Sequence, residues 1–206
     1  MPHTIDSKTS FQSDWRQLLE GLYQERPLHP FSSGEEIMMH PREIWVVCRG
    51  VVQLSTFHPC GDEVSLGLIS PSMPFGLPLT LIDPYQAIAL SDVDLMRLTM
   101  VEVEQSATLS QGLFKHLSRR LQQTEALLAS VNHRRVEDRL RQFLLLLRDE
   151  IGQPESTGSR ISVRLTHQHL ANAIGSTRVT VTRALGQLQE EGWLTIGRDR
   201  HIVIAN

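Results

Sequence analysis

The stretch Gly175 to Leu188, GSTRVTVTRALGQL, constrains this chain more than any other. Read as a helix starting near Ser176, it places Val181, Ala184, Leu185 and Leu188 at i, i+3, i+4 and i+7, an apolar stripe suited to packing on a small core. Arg178, Val179, Thr182 and Arg183 then share the opposite face. That face carries two guanidinium groups five positions apart, with one small apolar side chain beside them. Gly186 lies one turn further on, where a bulky residue would obstruct close approach. A helix with one buried stripe and one open cationic face is shaped to enter a groove.

The flanks complete the unit. Thr166 suits an N-cap, its hydroxyl accepting from an otherwise unpaired amide, and Leu165 and Leu170 occupy the two positions of a hydrophobic staple. A short helix is expected from about His167 to Ile174. Ala171 is small enough for a second helix to cross closely, and Gly175 supplies the positive φ of a tight turn. This is a helix-turn-helix with Ser176–Leu188 as its groove-entering helix. A plain pair of core helices fits the same spacing, so the segments on either side decide. Residues 134–150, RRVEDRLRQFLLLLRDE, form a helix whose apolar side is Leu140, Phe143, Leu144 and Leu147; residues 152–159 read as a loop, and ISVRL (161–165) as a short strand. Two strands, 193–196 and 201–204, flank Gly197-Arg198-Asp199-Arg200, a wing whose tip arginines can lie near phosphate.

These residues carry a resemblance. LTHQHLANAIGSTRVTVTRALGQLQEEGWLTI resembles the DNA-binding domain of the Crp/Fnr family, and GSTRVTVTR is similar to its cyanobacterial branch of nitrogen and sulfur-assimilation regulators. The likeness is strong from about Leu109 onward. It is traceable from Phe31 to Leu98 through Gly34, Arg49-Gly50, Gly61-Asp62 and Phe75-Gly76, which match turns of the family's effector-binding β-roll. The resemblance implies that Arg178, Val179 and Arg183 read bases. An arginine paired with guanine O6 and N7 is worth about 1–3 kcal/mol of discrimination. Val179 stands where the cyclic-nucleotide member has a glutamate that accepts from cytosine; valine cannot accept, so a different half-site follows, read through a thymine methyl. Thr166, His167, Gln168, Thr177 and Thr180 match the family's phosphate contacts, which position without specifying sequence. The implied function is sequence-specific regulation of transcription of nutrient (sulfur or nitrogen) assimilation genes. A homodimer would bind a palindromic site in double-stranded DNA, with RNA polymerase as a further partner.

Charge agrees with this division. Residues 1–109 hold 6 Lys and Arg against 14 Asp and Glu, whereas 110–206 hold 14 against 9, so the C-terminal half is the one able to meet phosphate, although the whole chain is at −3. No apolar run reaches the roughly 18 residues of a membrane span, and the N-terminus has no basic start followed by an apolar segment, which predicts a cytoplasmic protein without a membrane partner. Two cysteines, Cys48 and Cys60, cannot build a disulfide framework or a structural zinc site.

An amphipathic helix is expected at 14–24, with Trp15, Leu18, Leu19 and Leu22 on one side. From Phe31 to about Leu98, short apolar runs (IWVVC, VVQLSTF, VSLGLI, AIALS, DLMRL) between turn residues predict an antiparallel sandwich or roll. From about Ser110 to Asn132, Leu113, Leu117, Leu121, Thr124, Leu128 and Val131 follow heptad spacing, a seam for a parallel dimer, while Phe114 and Leu127 form a second apolar edge facing the roll. The expected class is α+β: a β-roll with an N-terminal helix (1–108), a dimerisation helix (109–132) and a C-terminal winged helix-turn-helix (133–206).

In the family the Phe-Gly turn cradles an effector, which points to Phe75, Gly76 and Leu77. The cyclic-nucleotide version needs an acidic residue soon after and an Arg-Ser pair about ten residues on. Here Leu77-Pro78 and Tyr85-Gln86 stand there, with no arginine between Arg49 and Arg97, which argues against cyclic AMP. Arg120 and Glu125 match a pair that the nitrogen-regulator branch uses for a small anionic effector, whose second arginine is missing here. An interhelical salt bridge explains the same two residues without a ligand. His167 and His169 form an HxH, but on a helix i and i+2 point apart, so no metal site is expected, and no cofactor. No nucleophile elbow, phosphate loop or Ser-His-Asp order offers catalytic residues. The rival reading, an effector module or roll enzyme without DNA binding, requires neither the two groove-face arginines nor the wing.

Overall fold

The computed structural model describes residues 26–205. The helix expected at 14–24 lies outside them. Seven strands make the N-terminal half: β1 (His29–Phe31), β2 (Glu43–Arg49), β3 (Val52–Phe57), β4 (Glu63–Ile69), β5 (Pro74–Phe75), β6 (Gln86–Ala89) and β7 (Val93–Thr99). They form two antiparallel sheets, ordered β1-β7-β2-β5 and β4-β3-β6. Alternating apolar residues such as Val47, Val52, Leu54, Ile69 and Leu95 fill the space between, each fully buried. The turn from β2 to β3 demands Gly50: its φ is +84°, and a Cβ there would overlap the Asp92 carbonyl. In β4 the register slips between Leu54↔Gly67 and Ser55↔Ser65, leaving Leu66 as a bulge residue.

After β7 a short helix α1 (Met100–Gln105) is closed by a capping box: Glu102 N donates to Thr99 Oγ1 at 3.2 Å, and Thr99 N to Glu102 Oε2 at 2.7 Å. The long helix α2 follows, Ala107–Val131. One side of it, Leu109, Leu113, His116, Gln123, Leu127 and Ser130, is buried within the chain. Phe114, Leu121 and Leu128, each seven residues apart, are 73%, 59% and 63% exposed. This corrects the expected seam at one end. Leu113 packs with Ile44, Val46, Met96 and Leu98 of the roll, and Phe114, assigned to the roll edge, lies on the open face with Leu121, Thr124 and Leu128. Adjacent apolar residues at 113–114 serve two surfaces, and a helix drifts about 20° per heptad, so periodicity alone does not say which faces which.

Helix α3 (Val136–Ile151) buries Leu140, Phe143, Leu144 and Leu147 as expected. The loop expected at 152–159 is instead a hairpin, β8 (Gly152–Glu155) and β9 (Gly158–Ile161), while the expected strand at 161–165 contributes only Ile161. Polar β8 is an exposed edge strand containing Pro154, which gives no alternation to read. Helices α4 (His167–Ile174) and α5 (Arg178–Glu190) lead to β10 (Leu194–Ile196) and β11 (Ile202–Ala205), and the C-terminal sheet runs β10-β11-β9-β8. The α5 helix begins two residues later than expected because Thr177 is its cap.

Helix α2 buries one histidine with a consequence for stability. Burial pushes His116 down to about 4, assisted by Arg119 and Lys115. Its folded-state pKa lies below the unfolded value of 6.5, so the unfolded chain takes up the proton first and stability is lost as pH falls from 6.5 towards 4. Thermal melts across this range should show that loss, and His116→Leu should flatten the part due to this residue; an unchanged slope would contradict the assignment.

Candidate nucleic-acid interface

Helix α4 opens on Thr166, whose hydroxyl accepts from His169 N at 3.0 Å, while the His169 ring accepts from Thr166 N at 3.4 Å. It closes on Gly175 at φ 60° and ψ 55°, where Ser176 N returns to the Ala171 carbonyl at 3.0 Å. Thr177 then caps α5, accepting from Thr180 N at 3.2 Å. Val181, Ala184, Leu185 and Leu188 are at most 2% exposed and share one core with α3, α4 and the wing. Arg178, Val179, Thr182 and Arg183 face outward, Val179 with 61% of its surface free. An added Cβ at Gly186 meets nothing within 4 Å, so no internal contact requires glycine there.

The predicted phosphate contacts surround this face. The His167 ring lies 2.7 Å from Thr182 Oγ1, tying α4 to α5. Thr177 and Thr180 hydroxyls are 2.9 Å apart, so one donates to the other and a single hydroxyl hydrogen remains for an outside acceptor. Gln168 Nε2 donates to Asn172 Oδ1 at 2.6 Å. Arg164, Arg178 and Arg200 converge from three elements with Thr166, His167 and Gln168 on a concavity of about 630 Å³ with no acidic residue in its described lining. Arg164 is a site residue that sequence reading missed, because it fell in the expected strand. Arg200 reaches the concavity and Arg198 does not. The wing turn is fixed by Asp199, which pairs with Arg160 at 2.6 Å; the His201 amide and then Arg160 hold its carboxyl below the usual carboxylate range.

A second cavity, about 350 Å³, lies between the roll and α2 and contains Phe75, Tyr85 and Arg120. Burial raises the Tyr85 hydroxyl to about 12, partly opposed by Arg120. Burial also lowers the Arg120 guanidinium, with Tyr85 and Glu150 opposing. Its nitrogens donate to Gln123 Oε1 at 2.8 Å and to the Leu66 carbonyl at 3.1 Å. Gly76 and Leu77 adjoin this cavity without lining it, and Glu125 is exposed elsewhere on α2. Of the expected pair, Arg120 lines this cavity and Glu125 does not.

His167 and His169 are each engaged locally, and among the described residues no three His, Cys, Asp or Glu side chains gather as a metal site. No helix of the described residues is long and apolar enough to cross a membrane.

Comparison with known proteins matches this geometry. Residues 138–206 match the Crp-like helix-turn-helix domain. The chain is 36% identical over 167 residues to the global nitrogen regulator of Synechocystis sp., covering 76% of this chain and 74% of that protein. It is 37% identical over 164 residues to the regulatory protein CysR of Synechococcus elongatus, covering 78% and 75%. Among solved structures, a CRP/FNR family transcriptional regulator from Thermus thermophilus superposes with a TM-score of 0.71 at 27% identity, over 87% of this chain and 94% of that one. With an N-terminal roll, a long helix and a winged helix-turn-helix in that order, the chain belongs to the Crp/Fnr family of transcriptional regulators.

Proposed function

We propose that this chain regulates transcription of nitrogen or sulfur assimilation genes by binding palindromic DNA as a homodimer. The observation that carries the reading is α5 itself: a fully buried stripe on one side, and Arg178, Val179 and Arg183 exposed together on the other. The acid-free concavity of Arg164, Arg178 and Arg200 beside it supports phosphate contact. The relatives named for nitrogen regulation and as CysR support the class of target genes. The same family membership supports RNA polymerase as a further partner. Arg178→Ala and Arg183→Ala are each expected to weaken binding to a selected palindrome by about 1–3 kcal/mol and to leave random DNA nearly unaffected. Mobility-shift titration on both duplexes checks this, and equal losses on the two would reduce the arginines to phosphate contacts.

The dimer is proposed to form along the open face of α2. Phe114, Leu117, Leu121, Thr124 and Leu128 alternate by three and four on that face, and the exposed aromatic and leucines form a stripe that solvent disfavours. Leu121→Glu places two carboxylates in the seam, where unpaired charge is unfavourable. Sedimentation should show a monomer with palindrome binding largely lost; an intact dimer would move the interface elsewhere.

The Phe75–Tyr85–Arg120 cavity is the proposed effector site. One half-buried arginine and no acidic residue in the described lining suit a small anion. With a single arginine, 2-oxoglutarate should bind at least about tenfold more weakly than to a site with two, roughly 1.4 kcal/mol for one lost charge-assisted contact. Calorimetry with 2-oxoglutarate and O-acetylserine on wild type and Arg120→Ala checks this; tight 2-oxoglutarate binding in the wild type would refute the weakening.

A further inference from the structure

The roll and the helix-turn-helix meet where β4 packs against α4, and the meeting point is polar. Glu63, the first residue of β4, accepts from Gln53 Nε2 at 3.1 Å through one oxygen and from Asn172 Nδ2 at 2.8 Å through the other. Asn172 Oδ1 accepts from Gln168 Nε2 at 2.6 Å. The order is chemically forced. An ionised carboxylate only accepts, so the amide nitrogen of Asn172 must face it. The amide oxygen then faces Gln168, which must answer with its own nitrogen.

An amide nitrogen has two hydrogens. With one held by Asn172, the second N–H of exposed Gln168 has a restricted direction, on the surface shared with Thr166, His167 and Arg178. We infer that Glu63 of the roll, acting through Asn172, is a positioning residue that fixes the DNA-facing amide of Gln168. This rests on the reading of Gln168 as a phosphate contact. Gln168 is a long side chain whose rotamers must be ordered on binding, and anchoring it beforehand lowers that entropic cost. The anchor strand has a second attachment. The Leu66 carbonyl, three residues from Glu63, accepts from Arg120, whose guanidinium crosses β4 over Gly67; a Cβ there would lie 2.9 Å from Arg120 Nη1. The strand that seats the arginine of the anion cavity therefore also holds the relay to the DNA face.

The sign of one substitution separates positioning from simple field effects. Glu63 shares a cleft of about 990 Å³ with Arg178. On charge alone, removing this carboxylate should raise DNA affinity. Positioning requires Glu63→Ala to lower it and Glu63→Gln, which keeps an acceptor for Asn172, to preserve it.

The test is quantitative mobility shift with the full-length chain on a palindrome enriched from a random pool and on a random duplex. Gln168→Ala, Asn172→Ala and Glu63→Ala should each weaken binding roughly three- to tenfold on both duplexes, the range of one net hydrogen bond, with Glu63→Gln within about twofold of wild type or tighter. In a Gln168→Ala background, Asn172→Ala should cause no further loss, whereas a general loosening of the helix-turn-helix would still weaken binding. Should Asn172→Ala lower the melting temperature, the Glu63 pair, which lies on the roll, decides alone. A silent Gln168→Ala overturns the phosphate-contact reading and the inference with it. A weakened Gln168→Ala beside a neutral or tighter Glu63→Ala, or an additive double variant, overturns the relay alone.

Discussion

The burial of Val181, Ala184, Leu185 and Leu188 is the constraint on which the rest of the molecule depends. A helix offers about 360° of surface for 3.6 residues per turn, and once four side chains are sealed in a core the rotation of the whole helix is fixed. Arg178, Val179 and Arg183 then have no freedom to turn inward. Opening a cavity in such a core by truncating one leucine to alanine costs about 2–5 kcal/mol, far more than one surface contact returns. Rigid presentation of a few outward-facing side chains is thus a by-product of ordinary packing.

The same core reaches beyond the helix-turn-helix. Val51 and Leu68 of the roll and Leu127 of α2 join the residues of α3, α4 and α5 in one cluster. Arg119 of α2 pairs with Glu150 of α3 at 2.7 Å, next to Arg120, which faces the cavity of Phe75 and Tyr85. Two successive arginines thus connect one helix to the DNA-binding half and to the cavity. Any ligand there can shift the position of α5 only by the difference in its affinity for two arrangements of these contacts. The cavity and α5 are joined through shared packing, and the polar contacts at Glu63 and Glu150 are where an apolar interface becomes directional.

Much of this was legible in the residues. The helix-turn-helix was readable because several signals coincide at fixed offsets: the Thr166 cap, Ala171, the left-handed Gly175 and the i, i+3, i+4, i+7 stripe. The wing and the roll were readable from alternation between glycine-bearing turns. The β8–β9 hairpin was not, since a polar edge strand with Pro154 carries no alternation, and Arg164 sits in a stretch, 161–165, that reads as a strand. Leu113 and Phe114 exchanged roles because neighbouring apolar residues satisfy both a seam and a core face. Glu125 is exposed away from the cavity that Arg120 lines, a placement that a motif match does not contain. The Gln168–Asn172–Glu63 chain joins residues more than a hundred positions apart, and no local pattern announces such a contact.

The central claim is that two copies of α5, related by a two-fold axis, read a palindrome through the Arg178–Val179–Arg183 face. Selection of bound sequences from a random DNA pool by the intact protein tests it most directly. The account predicts an inverted repeat whose half-site centres lie one turn of duplex apart, ~34 Å, with a guanine in each half-site. A pool that enriches no sequence, or one that enriches a single unpaired half-site, would contradict it.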